Sequence, residues 1–162
     1  MKRQDKINYY LGIAQTVAKR CTCLRRSFRA IIVKNDSILS TGYVGSPRGR
    51  KNCSDLGYCT REQLKIPHGK RYELCRSVHA EANAIITATR EQMLDATLYL
   101  CGADPVTGEL VAGTNSCVMC KRMILNAGIT TVIVRDTAQD YRVINTDHWI
   151  EHDDSLIGQR GY

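Results

Sequence analysis

Two short stretches of the sequence carry residues that could bind a metal and activate water. His79 is followed two positions later by Glu81, and Cys117 and Cys120 form a Cys-x-x-Cys pair further along. One imidazole and two thiolates are three good zinc ligands, and three protein ligands leave the fourth tetrahedral position to water, as in catalytic zinc sites. A carboxylate beside that water could move protons without binding the metal. The spacing therefore predicts a hydrolytic zinc centre with Glu81 as its proton carrier.

Each of these features alone has a less specific interpretation. A Cys-x-x-Cys pair also occurs in redox sites and in zinc ribbons. A single histidine at a helix start often caps the helix or packs in the core. The prediction becomes specific because the His-x-Glu and Cys-x-x-Cys motifs occur together, each at the predicted start of a helix.

The order of apolar and turn-forming residues predicts the elements of the first half of the chain. The first twenty residues read as an amphipathic helix with Asp5 near its start, since apolar residues recur there at helical spacing. Residues 28–34 and 37–43 read as a hairpin around the turn Asn35-Asp36. Residues 45–70 lose this periodicity. They form a loop that is long for a compact domain, and such loops are usually functional or held by a metal.

The second half alternates helices with strands. A nearly apolar helix is predicted over 78–88, strands over 97–101 and 130–134, and an excursion or small hairpin over 102–115. A further helix over 117–126 has Ser116 as its predicted N-cap and Gly128 as its end. This alternation predicts an α/β domain whose sheet is at least partly parallel. Residues 154–162 look like a loosely held tail.

Composition sets the broad class. With 162 residues, 43% of them hydrophobic and 24% charged, the chain fits a single globular domain over 1–162. No stretch approaches the roughly 18–20 apolar residues that cross a bilayer, so no membrane partner is expected. The net charge of +7 indicates an anionic partner. Aromatic residues make up only 6%, which argues against single-stranded nucleic acid, because bases stack on aromatic platforms.

Eight cysteines are many for so short a chain. Secreted disulfide scaffolds reach this density, but they begin with a signal peptide, and the first residues here are charged and polar with no apolar segment after them. We therefore expect a cytoplasmic protein with reduced thiols. In that setting clustered cysteines serve in metal binding or in redox catalysis.

The motif His-x-Glu followed by Cys-x-x-Cys is the signature of zinc-dependent nucleobase deaminases. The chain resembles the cytidine and deoxycytidylate deaminase superfamily, in particular its deoxycytidylate branch, from the first helix to about Asp153. The stretches that carry the resemblance are 23–26, 38–43, 45–47, 52–53, 72–76, 79–86, 117–120 and 124–129. The resemblance implies a three-layer α/β/α cytidine deaminase-like fold with a central mixed sheet of about five strands. It also implies oligomers, dimers or hexamers, and regulation by dCTP and dTTP.

For the site, the resemblance implies a catalytic Zn²⁺ on His79, Cys117 and Cys120, with Glu81 as the proton shuttle for attack on C4 of cytosine. It places substrate contacts at the residues Gly42, Val44, Gly45, Ser46 and Ala80, and basic loop residues near the mouth of the pocket, namely Arg25, Arg26, Arg48, Arg50 and Lys51. Guanidinium groups bind phosphate well, although a solvated basic surface is the alternative.

The sequence departs from the family pattern at two positions. Val44 stands where relatives usually have Asn, so it cannot hydrogen-bond the sugar hydroxyl. Ser116 stands where the motif usually has Pro, and we expect it to cap the helix instead. Asn83 resembles a position near the family's site, but an amide bonded to neighbouring backbone is an equal alternative. The role of the insertion 102–115 is open.

Relatives in this branch often carry a second, closed zinc site. Cys23, Cys53, Cys59 and Cys75 would form it here, with His68 as an alternative fourth ligand, and thiols without metal are the competing interpretation. Cys21 and Cys101 are taken as non-ligands. The pair formed by His148 and His152 is interpreted as solvated surface, because no third ligand accompanies it.

Together these features predict zinc-dependent hydrolytic deamination of dCMP to dUMP and ammonia, in pyrimidine deoxynucleotide metabolism. One alternative is deamination of another cytosine nucleotide or nucleoside, or of a base within RNA or DNA. The other is a non-catalytic zinc module that binds nucleic acid through its charge. Glu81 favours the enzyme, since a structural zinc site needs no carboxylate beside it.

Overall fold

A computed structural model of the chain describes residues 3–153. The strands are β1 (Ser27–Lys34), β2 (Ser37–Tyr43), β3 (Thr97–Ala103), β4 (Thr131–Arg135) and β5 (Tyr141–Asn145). The helices are α1 (Lys6–Val17), α2 (Cys53–Leu56), α3 (Thr60–Gln63), α4 (Ala80–Ile86), α5 (Arg90–Met93), α6 (Val118–Ala127) and α7 (Asp147–Glu151). Two short 3₁₀ helices follow α1 and precede α4, at Ala18–Arg20 and Tyr72–Leu74.

The strands form one mixed sheet in the order β2-β1-β3-β4-β5. β3 and β4 are parallel and are connected through α6, and the other neighbouring pairs are antiparallel. This confirms the α/β class and the mixed sheet of five strands. Within residues 3–153, no helix has the length and apolar character needed to cross a membrane.

Alternate strand residues face two different helical layers, because successive side chains of a strand point to opposite faces. On one face, Ile31 and Val33 of β1 pack with residues of α1. On the other face, Ala30 and Ile32 pack with the helices α4, α5 and α6. The sheet is thus the middle of three layers, and the helices that carry the metal-ligand motifs share one side of it.

The predicted first helix and hairpin are confirmed. Asp5 caps α1, since its side chain accepts a hydrogen bond from the Asn8 backbone N–H. The hairpin turn is made by Asn35 and Asp36, both with positive φ, at 49° and 60°. Asn and Asp tolerate this left-handed region better than other non-glycine residues, which explains their place between two strands.

Gly42 allows β2 to lie directly against α4. A Cβ at this position would be 2.1 Å from the Ala80 carbonyl oxygen and 2.4 Å from the Ala84 nitrogen. Only a residue without a side chain permits such an approach. Gly42 therefore fixes the distance between the sheet and the first turn of the helix that follows His79.

Several predicted boundaries change. The helix predicted over 78–88 covers Ala80–Ile86, with His79 as its N-cap. Ser116 is not the N-cap of α6: that position is taken by Cys117, whose sulfur accepts from the Cys120 N–H, while Gly128 ends the helix as expected. The excursion 102–115 forms a small hairpin closed by a bridge between Ala103 and Leu110. The tail 154–162 lies outside the described residues.

Candidate active site and metal centre

The two metal-ligand motifs meet because each occupies the start of a helix on the same side of the sheet. His79 precedes α4 and Cys117 precedes α6, and these helices pack against each other. The approach to His79 is fixed by a two-way backbone bridge between Val78 and Gly45, with N···O distances of 2.8 and 3.3 Å. Backbone structure therefore positions both motifs. Helix starts hold His79 and Cys117, and the bridge to Gly45 fixes the segment that leads to His79.

The three proposed ligand atoms form a compact group. The His79 Nδ1 lies 3.4 Å from the sulfur of Cys117 and 3.4 Å from that of Cys120. All three atoms lie within 4.8 Å of one another. In a tetrahedral zinc site with Zn–N of about 2.0–2.1 Å and Zn–S of about 2.3 Å, nitrogen and sulfur ligands are about 3.5 Å apart. The donor set and its spacing therefore fit a zinc ion.

The charge state of Cys117 also suits a cation. Hydrogen bonding from Cys120, and next from His79, lowers the pKa of the Cys117 thiol. The Cys117 sulfur in addition accepts the Cys120 backbone N–H at the start of α6, where the helix dipole favours negative charge. A thiolate is thus favoured where a metal would need one.

Glu81 lies in the first turn of α4 and is only 3% exposed. Burial raises the pKa of its carboxyl above the ordinary range, and the charge of His79 opposes that rise. Its side chain lines the same cavity as His79 and Cys117. A carboxyl group with a raised pKa beside a metal-ligand cluster is the arrangement expected of a general acid and base.

The polar residues that line the cavity of about 410 Å³ form two groups, named the metal end and the loop end. One end carries the metal-ligand group and Glu81. The other end carries cations and thiols, contributed by Arg25, Arg26, Arg61, His68, Cys23, Cys59 and Cys75. Phe28, Val44 and Tyr72 supply apolar and aromatic surface, and residues 111–115 of the small hairpin complete the wall. The insertion predicted at 102–115 thus contributes to the cavity.

The residues predicted to contact substrate divide into two groups. Val44, Arg25 and Arg26 line the cavity. Gly42, Gly45, Ser46 and Ala80 do not appear in its wall: Gly42 packs on α4, Gly45 bridges to Val78, and Ala80 is fully buried. The roles of the second group therefore stay predictions, with a structural function visible for Gly42 and Gly45.

Asn83 makes the backbone contact that was one of its two predicted alternatives. Its side-chain amide donates to the Tyr43 carbonyl at 2.8 Å. This hydrogen bond ties the end of β2 to α4 and lies next to Val44. Asn83 thus holds the segment that leads from the sheet into the cavity wall.

The loop cysteines are neighbours without forming a second compact group. Within residues 3–153, His79, Cys117 and Cys120 are the one set of three ligand atoms found within 4.8 Å of one another. Burial raises the pKa of Cys53 and of Cys75, and the nearby Cys23 and Cys59 raise both further. A second zinc site at these residues, with or without His68, stays a prediction.

The histidines and cysteines for which no metal role is proposed interact with their immediate neighbours. Cys21 donates to the Phe28 carbonyl, and Cys101 is fully buried in β3, where burial raises its pKa to about 11. His148 of α7 and His152, which follows that helix, are both exposed, with ring centroids 4.4 Å apart.

Two residues of the cavity wall were missed by sequence reasoning. Arg61 is 5% exposed and lies over the Tyr72 ring, with its guanidinium carbon 4.5 Å from the ring centroid. Tyr72 in turn meets His79 edge to face, at a centroid distance of 5.0 Å. A basic residue in a loop without periodicity gives no signal that it is buried. Only the fold therefore reveals that Arg61 contacts Tyr72 and that Tyr72 contacts His79.

Comparison with known proteins places the chain in a family. The model of the cytidine and deoxycytidylate deaminase zinc-binding region matches residues 4–136. The deoxycytidylate deaminase of Mycobacterium phage D29 is 36% identical over 82% of this chain and 96% of its own length. The deoxycytidylate deaminase of Schizosaccharomyces pombe is 31% identical over 78% of this chain, which spans only 35% of the yeast protein.

Solved structures agree on the fold. The dCMP deaminase of cyanophage S-TIM5 matches with a TM-score of 0.55 over 85% of this chain and 88% of its own, at 22% identity. The cytidine deaminase of Burkholderia pseudomallei matches with a TM-score of 0.52 over 84% of this chain and 89% of its own, at 15% identity. With the matched region spanning both metal-ligand motifs, the chain belongs to the cytidine and deoxycytidylate deaminase zinc-binding family.

Proposed function

We propose that the protein is a zinc-dependent enzyme that hydrolyses dCMP to dUMP and ammonia. The observation that carries this proposal is the buried group of His79, Cys117 and Cys120 with Glu81 facing the same cavity. The relatives from Mycobacterium phage D29 and Schizosaccharomyces pombe, both named deoxycytidylate deaminase, support the choice of substrate. So does the S-TIM5 enzyme, which has been solved with dCMP and dUMP.

His79, Cys117 and Cys120 would hold the zinc ion. When bound, zinc supplies a water whose pKa is lowered towards neutrality, which makes it a nucleophile for C4 of the cytosine ring. Glu81 would take a proton from the attacking water and deliver it to ring N3. It would then move the proton of the new C4 hydroxyl to the departing amine, which leaves as ammonia. Because Glu81 is buried with a raised pKa, it is suited to both accept and donate within one cycle.

The two ends of the cavity fit the two ends of a nucleotide. The base would lie at the metal end, and the phosphate would lie at the cationic end that includes Arg25 and Arg26. Val44 is buried in the cavity wall and would offer only apolar surface to the sugar. Gly42, Gly45, Ser46 and Ala80 would act by shaping the end of β2 and the start of α4.

The thiol-rich loop would bind a second zinc ion through Cys23, Cys53, Cys59 and Cys75. Four thiolates form a closed structural site, and its ligands would connect α2, α3 and the segment before α4 to the residues that precede β1. All eight cysteines are free thiols, which suits metal binding in the cytoplasm. We further propose that the chain acts as one domain within a dimer or hexamer, under control by dCTP and dTTP.

Replacement of Glu81 tests the chemistry directly. Glu81→Gln keeps the shape of the side chain and removes its ability to carry protons, so kcat on dCMP should fall by about 10²- to 10⁴-fold while zinc content is unchanged. The loss of cytosine absorbance measures turnover, and metal analysis measures zinc. Glu109→Gln, an exposed carboxylate of the small hairpin, is the matched control and should behave like the unmodified protein.

A substrate panel tests the specificity. dCMP should be preferred over dCTP, CMP and cytidine. A zinc-loaded protein that is inert on all four would overturn the proposed reaction. A preference for CMP over dCMP would show that the enzyme acts on another substrate of the same family. Val44 would then be the first residue to replace.

A further inference from the structure

Arg61 is a buried cation in the wall of the catalytic cavity. Its side chain is fixed by Nη2, which donates to the carbonyl oxygens of Pro67, at 3.0 Å, and of Lys70. Its Nε is buried without a hydrogen-bond partner. Among residues 3–153, no ion pair joins Arg61 to a carboxylate. The guanidinium thus keeps both its charge and at least one N–H donor unmatched.

The two arginines predicted from the sequence differ from Arg61. Arg25 is paired through its Nε with Glu62, at 3.1 Å, so its charge is already balanced. Arg26 is exposed and donates to the Arg25 carbonyl at 3.1 Å. Solvated or paired cations add little to binding, whereas a buried and unpaired guanidinium interacts strongly with an anion that reaches it.

Arg61 is also held in a defined orientation before any ligand arrives. Two carbonyls fix one edge of the guanidinium, and the Tyr72 ring supports its plane at 4.5 Å. Charge without a counter-ion is costly to bury, so such a rigid arrangement is explained best by an anion that completes it. Because the group is fixed already, little side-chain entropy is lost when an anion binds.

The position of Arg61 relative to the metal end suits a mononucleotide. Tyr72 stands between Arg61 and His79 and contacts both, so one aromatic ring separates the cation from the metal-ligand group. A cytosine at the metal end would extend its sugar along Tyr72 and Val44. Its 5′-phosphate would then arrive at the wall where Arg61 lies.

We propose that Arg61 binds the 5′-phosphate of the substrate and thereby selects nucleoside monophosphates over nucleosides, with Arg25 and Arg26 as an outer rim. This inference deepens the proposed function, since it assigns a specificity-determining residue to the same cavity. It shifts the main phosphate contact from the arginines that the sequence indicates to one that only the fold identifies.

A comparison of two substrates tests this role. Arg61→Gln should lower kcat/KM for dCMP by about 10- to 100-fold, the usual effect of losing hydrogen bonds to a charged group. Deoxycytidine has the same base and sugar but no phosphate, so kcat/KM for it should change by less than about threefold. Arg61→Lys keeps the charge without the planar fork and should lie between the unmodified protein and Arg61→Gln.

Two further variants calibrate the effect. Arg25→Gln removes a cation that is already paired and should cost dCMP turnover less than about fivefold. Arg122→Gln removes an exposed charge of α6 and should leave kcat/KM for both substrates unchanged. Equal losses on dCMP and deoxycytidine in both Arg61 variants would overturn the proposal, since Arg61 would then only hold the loop in place. Loss of a zinc equivalent in Arg61→Gln would also overturn it, because the cation would then serve the neighbouring thiols.

Binding measurements separate this proposal from the reaction itself. If the unmodified protein does not deaminate dCMP, calorimetry with dUMP and with inorganic phosphate still tests Arg61. Weaker binding of both to Arg61→Gln than to Arg122→Gln would support an anion site at Arg61 although the assigned reaction is wrong. Equal binding to the two variants would overturn the site.

Discussion

Cysteines lie at both the metal end and the loop end of the cavity, but the local structure that positions them differs between the two ends. At the metal end, Cys117 caps the start of α6 and Cys120 lies in its first turn, and this helix of ten residues packs on the sheet. At the loop end, Cys53 begins α2 and Cys59 caps the start of α3. These helices have four residues each, and Cys75 follows a 3₁₀ helix of three. The metal-end ligands converge within 4.8 Å, whereas no such group is found at the loop end of the described structure.

The difference shows what a helix terminus contributes to a metal site. It sets the spacing of a Cys-x-x-Cys pair, offers N–H groups to sulfur, and is held in place by the core beneath it. The loop end has few such constraints, and it contains non-glycine residues with positive φ, Lys65 at 53° and Arg71 at 50°. We therefore expect metal to occupy a preformed site at the metal end and, if the loop end binds a second ion as proposed, to help order the chain there.

Removal of a metal-end ligand should have the largest effect on activity. His79→Ala deletes one of the three proposed zinc ligands, so the protein should lose about one zinc equivalent and its dCMP turnover should fall to background. Because the sheet packs without His79, the secondary structure by circular dichroism should be unchanged. His148→Ala, at an exposed position of α7, is the matched control. Turnover at more than a tenth of the normal rate in His79→Ala would contradict the assigned metal site.

Replacing a loop-end cysteine should lower the stability of the protein more than its rate of turnover. If the second zinc site exists, the unmodified protein binds about two zinc ions and Cys53→Ser about one. The melting temperature should fall by at least about 5 °C, since a chain of this size loses about 2–4 °C per kcal/mol. Cys21→Ser is the control, because Cys21 lies nearby and is not a proposed ligand. One zinc ion per unmodified chain would refute the loop-end site.

The contrast between the walls also explains which parts of the structure the sequence predicts. The elements α1, β1, β2, β3, α6 and β4 follow from local signals, namely hydrophobic periodicity, the Asn35-Asp36 turn and the terminal Gly128. The grouping of His79 with the two cysteines of α6 was likewise predictable, because each motif is short in sequence and sits at a helix start.

Features that depend on distant partners were not predictable. β5 is an edge strand whose Val143 is 59% exposed, and only its pairing with β4 makes it a strand. The burial of Arg61 depends on the Pro67 and Lys70 carbonyls and on Tyr72, none of which follows a periodic pattern. The capping error at Ser116 has a similar origin. Serine is a good N-cap by preference, but the helix begins one residue later and Cys117 takes that position.

The rigidity of the metal end can be tested through Gly42, where we expect the smallest but most specific effect. Gly42→Ala would place a Cβ 2.1 Å from the Ala80 carbonyl oxygen, so β2 and α4 must separate. Overpacking of this kind costs about 1–3 kcal/mol, or a fall of about 2–12 °C in melting temperature for this size of chain. His79 and Glu81 begin that same helix, so kcat should fall as well, at temperatures where the variant is still folded.

Gly12→Ala is the matched control for that variant. Gly12 lies within α1 and has no atom within 4 Å of an added Cβ, so alanine there should be neutral or stabilising by up to about 1 kcal/mol. If the loop end binds zinc, that ion should be retained in Gly42→Ala, because the proposed loop-end ligands are not part of the contact between β2 and α4. If Gly42→Ala were as stable and as active as Gly12→Ala, the sheet would not fix the start of α4, and the metal end would be no more rigid than the loop.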